Sequence, residues 1–390
     1  MPVHNGARYV RQSIDSVLGQ NFVDFEFIII DDGSRDETWE IINSYNDPRI
    51  RSFRNYENVG LPRTLNRGLS LTRGVYTARM DSDDICLPNR LTEQTRFLDE
   101  HSEIGLVGSQ AITIDKDGNF SGILRYPETD GYIRWSLCFL DPIIHPTVMM
   151  RSKLAIESGG YSVDSKADDY DLWCRMSDRT CLANLPNTLL LLRKHDANFT
   201  QVWSADVDRD AIRVSQRVLG QILHGELTLE NVSSLWHPQV ASLPNAMKAI
   251  DTVCQLHRTF SRDSRLTSTE QRLISCDAVA RIFGIAWVQR SITVIDYAIR
   301  KMREINSLVV SISSLDAEGS LALRKEISER QYALARNNLT TTRIWFRLLQ
   351  ALAQDPDIFM RTVRNGLNYV RLKHLPRYAY ASAHGYDHES

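Results

Sequence analysis

Three acidic clusters hold the residue types in this chain that could do chemistry. Asp31 and Asp32 follow a β-branched and aromatic run, and Asp81, Asp83 and Asp84 follow a second apolar run. Asp168, Asp169 and Asp171 open a helical stretch. Carboxylates just past a strand end repel phosphate. A divalent cation reverses that: hard carboxylate oxygens hold Mg²⁺ or Mn²⁺, and the cation holds a diphosphate. A lone carboxylate can instead hydrogen-bond a ribose hydroxyl or a base N–H. The D-x-D spacing of Asp81 and Asp83 puts both on one side of an extended segment. By itself that spacing also fits a polar turn. The third cluster meets the positive end of a helix. One acid suffices for a cap, so three leave room for a general base, which must reach a hydroxyl within hydrogen-bond distance.

These residues need a frame that brings strand ends together. Residues 8–20 predict an amphipathic helix with Val10, Ile14, Val17 and Leu18 on one face. Residues 25–30 (FEFIII) predict a strand buried on both faces, ending at Asp31. Helix is expected at 38–45, strand at 50–53 and helix at 61–71, broken at Gly74. Strand follows at 75–80, and Pro88 opens the next helix with Leu91, Thr95 and Leu98 inward. Residues 168–176 predict a helix. This β-α-β-α order implies α/β architecture with a mainly parallel sheet and right-handed crossovers. Ligands of such sheets bind beyond the carboxyl ends of strands, where the first two clusters lie. The segment 110–145 has no legible pattern.

The chain has 390 residues, enough for about two to three domains. Thirteen of its 19 glycines and eight of its 12 prolines fall in residues 1–200. The second half should therefore be mostly helical. Val207, Ala211, Val214, Val218 and Ile222 form one stripe there, and 268–289 and 320–353 give others. The division expected is an α/β domain at 1–200 and a helical region at 201–390. Apolar and charged fractions of 43% and 24% exclude a disordered or fibrous chain. A net charge of -2 supplies no basic field for nucleic acid. No run approaches the roughly 18 apolar residues of a spanning helix. Six cysteines without a C-x-x-C pair read as reduced thiols of a cytosolic protein.

Nine segments in series resemble the family-2 glycosyltransferases, inverting enzymes of the GT-A fold. They are MPVHNG at 1–6, FIIIDDGS at 27–34 with Asp36, NVG at 58–60, LNRG at 65–68, and ARMDSDD at 78–84 with LPNRL at 87–91. HPT at 145–147, GGY at 159–161, ADDYDLW at 167–173 with Arg175, and LRKH at 192–195 follow. The likeness covers about residues 1–200. It implies that Asp32, with Asp31, binds the base and ribose of a nucleotide-diphosphate sugar. Pro2 and Asn66 fall on the same donor-binding segments. Asp81 would contact the ribose, Asp83 would coordinate Mn²⁺ or Mg²⁺, and His195 would contact metal or diphosphate. Asp169 matches the general base, and Trp173 is core or acceptor wall. Two departures stand out. About four apolar residues usually precede the MPV-type segment, so the first strand is expected to be short and its neighbours' ladder groups unpaired. The usual Glu-Asp pair is Asp168-Asp169, which shortens the supporting acid by one methylene.

The resemblance implies sugar transfer from a nucleotide-diphosphate sugar to a glycan or lipid-linked acceptor, in polysaccharide or glycolipid synthesis. A nucleotidyltransferase would need a glycine-rich basic loop, and residues 4–8 offer one glycine and one arginine. A non-catalytic scaffold with a transferase-like domain is the other reading; the intact carboxylates oppose it and the short first strand favours it. Residues 358–378 carry Arg361, Arg364, Arg371, Lys373 and Arg377 interleaved with apolar side chains. Such a segment suits peripheral contact at the inner face of a membrane. It also suits docking on the protein's own acidic surface.

Overall fold

The computed structural model describes residues 1–196, 204–289 and 291–310. The contacts divide the chain after Val214.

The first unit holds two sheets. β1 (Pro2–Val3), β2 (Phe27–Asp31) and β3 (Ile50–Arg54) form a parallel sheet in that order. α1 (Val10–Leu18), α2 (Thr38–Asn43) and α3 (Leu61–Leu71) are its crossovers. The expected stripe makes the core: Val10, Ile14 and Val17 of α1 are buried with Val3, Phe27, Ile29 and Ile42. β1 is two residues long and sits at the end of this sheet, where its ladder with β2 is paired. The Met1 amine donates to the Ile28 carbonyl at 2.8 Å, Ile30 N–H donates to Met1 O, and Asp32 N–H to Val3 O.

β4 (Tyr76–Ala78) and β5 (Ile85–Cys86) flank the D-x-D turn. They join β6 (Ile104–Ile114), β8 (Met149–Arg151) and β9 (Cys181–Arg193) in the order β4-β8-β6-β9-β5, with β7 (Phe120–Leu124) on the far end of β6. β6 and β9 run parallel; the other pairs are antiparallel. Parallel pairing thus holds throughout the first sheet and at the centre of the second. The antiparallel pairs arise where short strands return after turns. The illegible 110–145 segment contains the end of β6, the β6–β7 hairpin and α5 (Asp130–Ser136). α4 (Arg90–Glu100) starts two residues after Pro88, and Leu91 and Leu98 face inward as expected. Between them Gln94 is fully buried, donating to the Val107 and Thr147 carbonyls. α6 (Ser152–Glu157) and α7 (Asp168–Ser177) complete the unit's site-bearing elements.

α8 (Ser204–Leu223) runs across the boundary; Val207, Ala211 and Val214 are buried, while Val218 and Ile222 are half-buried. The second unit's described residues are helical: α9 (Leu229–Trp236), α10 (Leu243–Phe260), α11 (Ser268–Gln289) and α12 (Ile292–Val310). The Ser242 hydroxyl accepts from Asn245 N–H and caps α10, relieving one of the unpaired donors of its first turn. Among the described residues no helix is long and apolar enough to cross a membrane. The stripe at 320–353 and the basic segment 358–378 lie outside the described residues.

Candidate active site

Asp31 and Asp32 end β2, where the chain must leave the sheet. Gly33 makes the turn with φ +68°, and a Cβ there would lie 2.5 Å from the Glu57 backbone. Both carboxylates are buried and build this turn. Asp31 Oδ1 accepts from Ser34 N–H, and Oδ2 pairs with Arg54 Nε at 2.9 Å. Asp32 accepts from the Asn55 side chain at 2.7 Å and from Val59 and Gly60 N–H at 3.0 Å. The pair therefore shapes the loop that opens α3; three of the roughly four lone-pair sites of Asp32 are used internally. Pro2 lies beside them in β1, since Val3 pairs with Asp31.

The D-x-D turn between β4 and β5 brings Asp81, Asp83 and Asp84 together, with one oxygen of each within 4.8 Å of the others. His195, just past β9, places Nε2 at 2.9 Å from Asp83 Oδ2. The expected metal pair thus meets across 112 residues of sequence. Asp84 is buried and accepts from the Arg193 N–H at 2.8 Å. Burial, then the charges of Asp83 and Asp81, push its carboxyl well above the usual range. Burial also raises Asp81, although Arg79 pairs with it and opposes the rise. Arg193 braces the turn from outside, donating Nε to the Asp83 carbonyl and Nη2 to Gln12, with its guanidinium over the Tyr9 ring. Tyr9 in turn stacks on His195. Three carboxylate oxygens and an imidazole nitrogen form a hard, anionic donor set that suits Mg²⁺ or Mn²⁺.

α7 supplies the third cluster, with Asp168, Asp169 and Asp171 in its first turn. Asp171 pairs with Arg175, which donates to the Ser158 and Gly160 carbonyls and so fastens the preceding turn. Asp168 is buried, and burial followed by the charge of Asp169 pushes its pKa well up. Asp169 is half-buried. Burial raises its pKa, while the Tyr170 N–H bonded to Oδ1 at 2.8 Å and the charge of Arg79 hold it down. The half-buried Asp141 carboxyl is raised well above the usual range by burial and by Asp169. Asp169 Oδ2 lies 3.4 Å from His145 Nδ1. Asn66 sits on α3 and clamps the Tyr161 backbone, donating to its carbonyl and accepting from its N–H, both at 2.8 Å. Its side chain positions the GGY turn.

Sequence reasoning missed Arg79. It is buried beside Asp81, and its Nε finds no hydrogen-bond partner among the described residues. Its charge acts on Asp81 and also on Asp168, Asp169, His145 and Tyr161. The one legible hint was a basic residue inside the apolar approach to the D-x-D turn. Trp173 is fully buried, which answers core or wall in favour of core.

Comparison with known proteins agrees with this arrangement. Residues 1–157 match the family described as "Glycosyl transferase family 2". An uncharacterized glycosyltransferase of Haemophilus influenzae is 30% identical over 225 residues, covering 55% of this chain and 70% of that protein. The O-antigen biosynthesis glycosyltransferase WbnJ of Escherichia coli is 34% identical over 181 residues, covering 45% of this chain and 69% of its own. The crystal structure of S. aureus TarS 1-349 aligns with a TM-score of 0.47 at 16% identity, over 81% of this chain and 91% of that one. The strand-end carboxylates, the D-x-D turn facing His195, the family match and the two sequence relatives lead to one conclusion: the chain belongs to glycosyl transferase family 2, a GT-A-type α/β domain followed by helices.

Proposed function

We propose that the protein moves a sugar from a nucleotide-diphosphate sugar to a hydroxyl of a glycan or lipid-linked acceptor, with inversion, in polysaccharide or glycolipid synthesis. The observation that carries this reading is the meeting of Asp83 with His195 inside the Asp81/Asp83/Asp84 group, with Asp169 at the start of a separate helix. The O-antigen biosynthesis that WbnJ is named for supports the polysaccharide setting. Asp83 and His195 would hold Mn²⁺ or Mg²⁺. Such a cation supplies Lewis-acid neutralisation of the leaving diphosphate's charge. Pro2, Asp31, Asp32, Asn66 and Asp81 form the donor side, with Asp32 and Asn66 acting through the loops they fasten. The acceptor oxygen attacks the anomeric carbon opposite the diphosphate, whose C–O bond breaks as the new one forms. Asp169 takes the acceptor proton, and a single displacement inverts the anomeric centre. The base must be ionised for this, and the Tyr170 N–H and the Arg79 charge favour that form against burial. We assign the catalytic unit to residues 1–200 of a cytoplasmic protein, with 201–390 as a second region whose segment 358–378 would meet the inner face of the membrane.

The test is a thermal-shift panel of nucleoside diphosphates with and without Mn²⁺, followed by turnover with the matching nucleotide sugars. One diphosphate should raise Tm only with Mn²⁺, by mass action. Binding without turnover on any acceptor would favour a nucleotide-sugar-binding scaffold. No binding at all would remove the reading.

A further inference from the structure

Asp169 is embedded in a chain of contacts that no donor-side role explains. His145 begins the short 3₁₀ turn His145–Thr147 ahead of β8, and its side chain is about 10% exposed. Its Nδ1 faces Asp169 Oδ2 at 3.4 Å, and its Nε2 lies 3.2 Å from the Tyr161 hydroxyl. The Trp173 ring meets both neighbours edge-on, 5.7 Å from His145 and 6.4 Å from Tyr161. Asn66 holds the Tyr161 backbone from α3. The imidazole is thus enclosed on the side of its two ring partners.

We propose that His145 is the positioning residue of Asp169, a neutral imidazole held as its Nδ1–H tautomer by Tyr161 so that it donates to the base. The assignment follows from what each partner can do. An ionised carboxylate only accepts, so the nitrogen facing it must carry the proton. A neutral imidazole then has a bare Nε2, and the Tyr161 O–H donates to it. Burial, then the charge of Arg79, keeps His145 well below its ordinary pKa, and burial keeps Tyr161 protonated. Tyr170 N–H on Oδ1 and His145 Nδ1–H on Oδ2 together hold the carboxylate in one orientation for the incoming hydroxyl. The 3.4 Å gap is slightly long for a hydrogen bond. Catalytic hydrogen bonds commonly tighten only when substrate closes the site.

This inference rests on Asp169 being the base, and its test has one arm that needs no substrate. In the full chain labelled with ¹⁵N-histidine, the His145 ring signals are identified by their loss in His145→Asn. At neutral pH they should report a protonated Nδ1 and a bare Nε2, and Tyr161→Phe should mix the tautomers. A protonated Nε2 or an imidazolium would overturn the proposal. The second arm is kinetic. His145→Ala and His145→Gln should lower kcat by about 10²-fold, the scale of a displaced catalytic group, while the donor KM changes little. His145→Asn carries an amide N–H near the place of Nδ1 and should recover most of the lost kcat; the Gln amide sits nearer Nε2 and should not. Equal losses in the Asn and Gln variants would overturn the positioning role. A parent chain that shows the expected tautomer but transfers no sugar counts against the transfer reading alone.

Discussion

At the scale of single residues, two aspartates near the site should fail in different ways. Asp83 is tied to His195 on the donor side, and among the described residues Asp169 accepts from the Tyr170 N–H and lies near His145. An amide is a poorer ligand than a carboxylate for a hard cation, so Asp83→Asn should abolish Mn²⁺-dependent nucleoside-diphosphate binding. Asp169→Asn should bind donor and cation like the parent but lose about 10²–10⁴ in transfer rate, because an amide cannot take the proton. Thermal shift and turnover on both variants separate the roles. An Asp83→Asn chain that binds diphosphate with Mn²⁺ as tightly as the parent would move the cation elsewhere. Near-parental turnover by Asp169→Asn would hand the base role to Asp168 or Asp171. Asp32 belongs to a different kind of residue. Its carboxylate is committed to the Asn55, Val59 and Gly60 donors, so its contribution to the donor site passes through the loop before α3.

At the scale of elements, the site depends on turns fastened by side chains from distant helices. Arg175 of α7 holds the Ser158 and Gly160 carbonyls, and Asn66 of α3 holds both polar atoms of the Tyr161 backbone. Gly160 sits between these clamps with φ +63°, and a Cβ there would lie 2.5 Å from Asn66 Oδ1. Gly160→Ala therefore combines left-handed strain with a broken clamp, and should cost about 1–3 kcal/mol. For a unit of this size that lowers Tm by several degrees. Turnover should fall further than stability implies, since Tyr161 reaches the site through this turn. A variant with parental Tm would show that the turn relaxes without cost.

At the scale of the whole molecule, buried acids set the response to pH. Asp84, Asp141 and Asp168 have carboxyls raised well above their ordinary value, by burial first. A group raised on folding holds its proton where the unfolded chain has released it. Its stabilising contribution is present at low pH and is lost as pH rises from the ordinary carboxylate value through the raised one. His257 works in the other direction: burial lowers it to about 4, so stability is lost as pH falls from its ordinary value of about 6.5 towards 4. Without divalent cation, the buried acids should therefore give Tm an alkaline limb that falls with rising pH once His257 is neutral, above about pH 6.5. Asp141→Asn keeps an acceptor for the Ile143 N–H and should flatten the alkaline limb. A Tm that climbs steadily to pH 8 would contradict this. The basic segment 358–378 remains a proposal on sequence: five cations, each worth about 1 kcal/mol near an anionic surface. Co-sedimentation of the full chain, and of one ending at Asp357, with anionic and neutral vesicles tests it. Both forms staying in the supernatant at low salt would remove membrane contact.

Much of this protein was decided locally and is legible in the sequence. The α1 stripe, the FIII run of β2, the start of α3 at Leu61 and the start of α7 at Asp168 follow from periodicity, β-branching and helix-end chemistry, which act within a few residues. The three acidic clusters were visible for the same reason: each is a short run at an element's end. What only the tertiary structure decided is which side chains meet. Asp83 finds His195, Asn66 finds Tyr161, and Asp169 finds His145, all between segments far apart in the chain. The strand pairing of 110–145 and the buried Arg79 belong here too. Arg79 occupies an apolar strand approach against its own propensity for water, because Asp81 offers a partner that only the folded turn provides. Local propensity cannot encode such choices, since sheet order and burial depend on elements that the chain brings together only once it has folded.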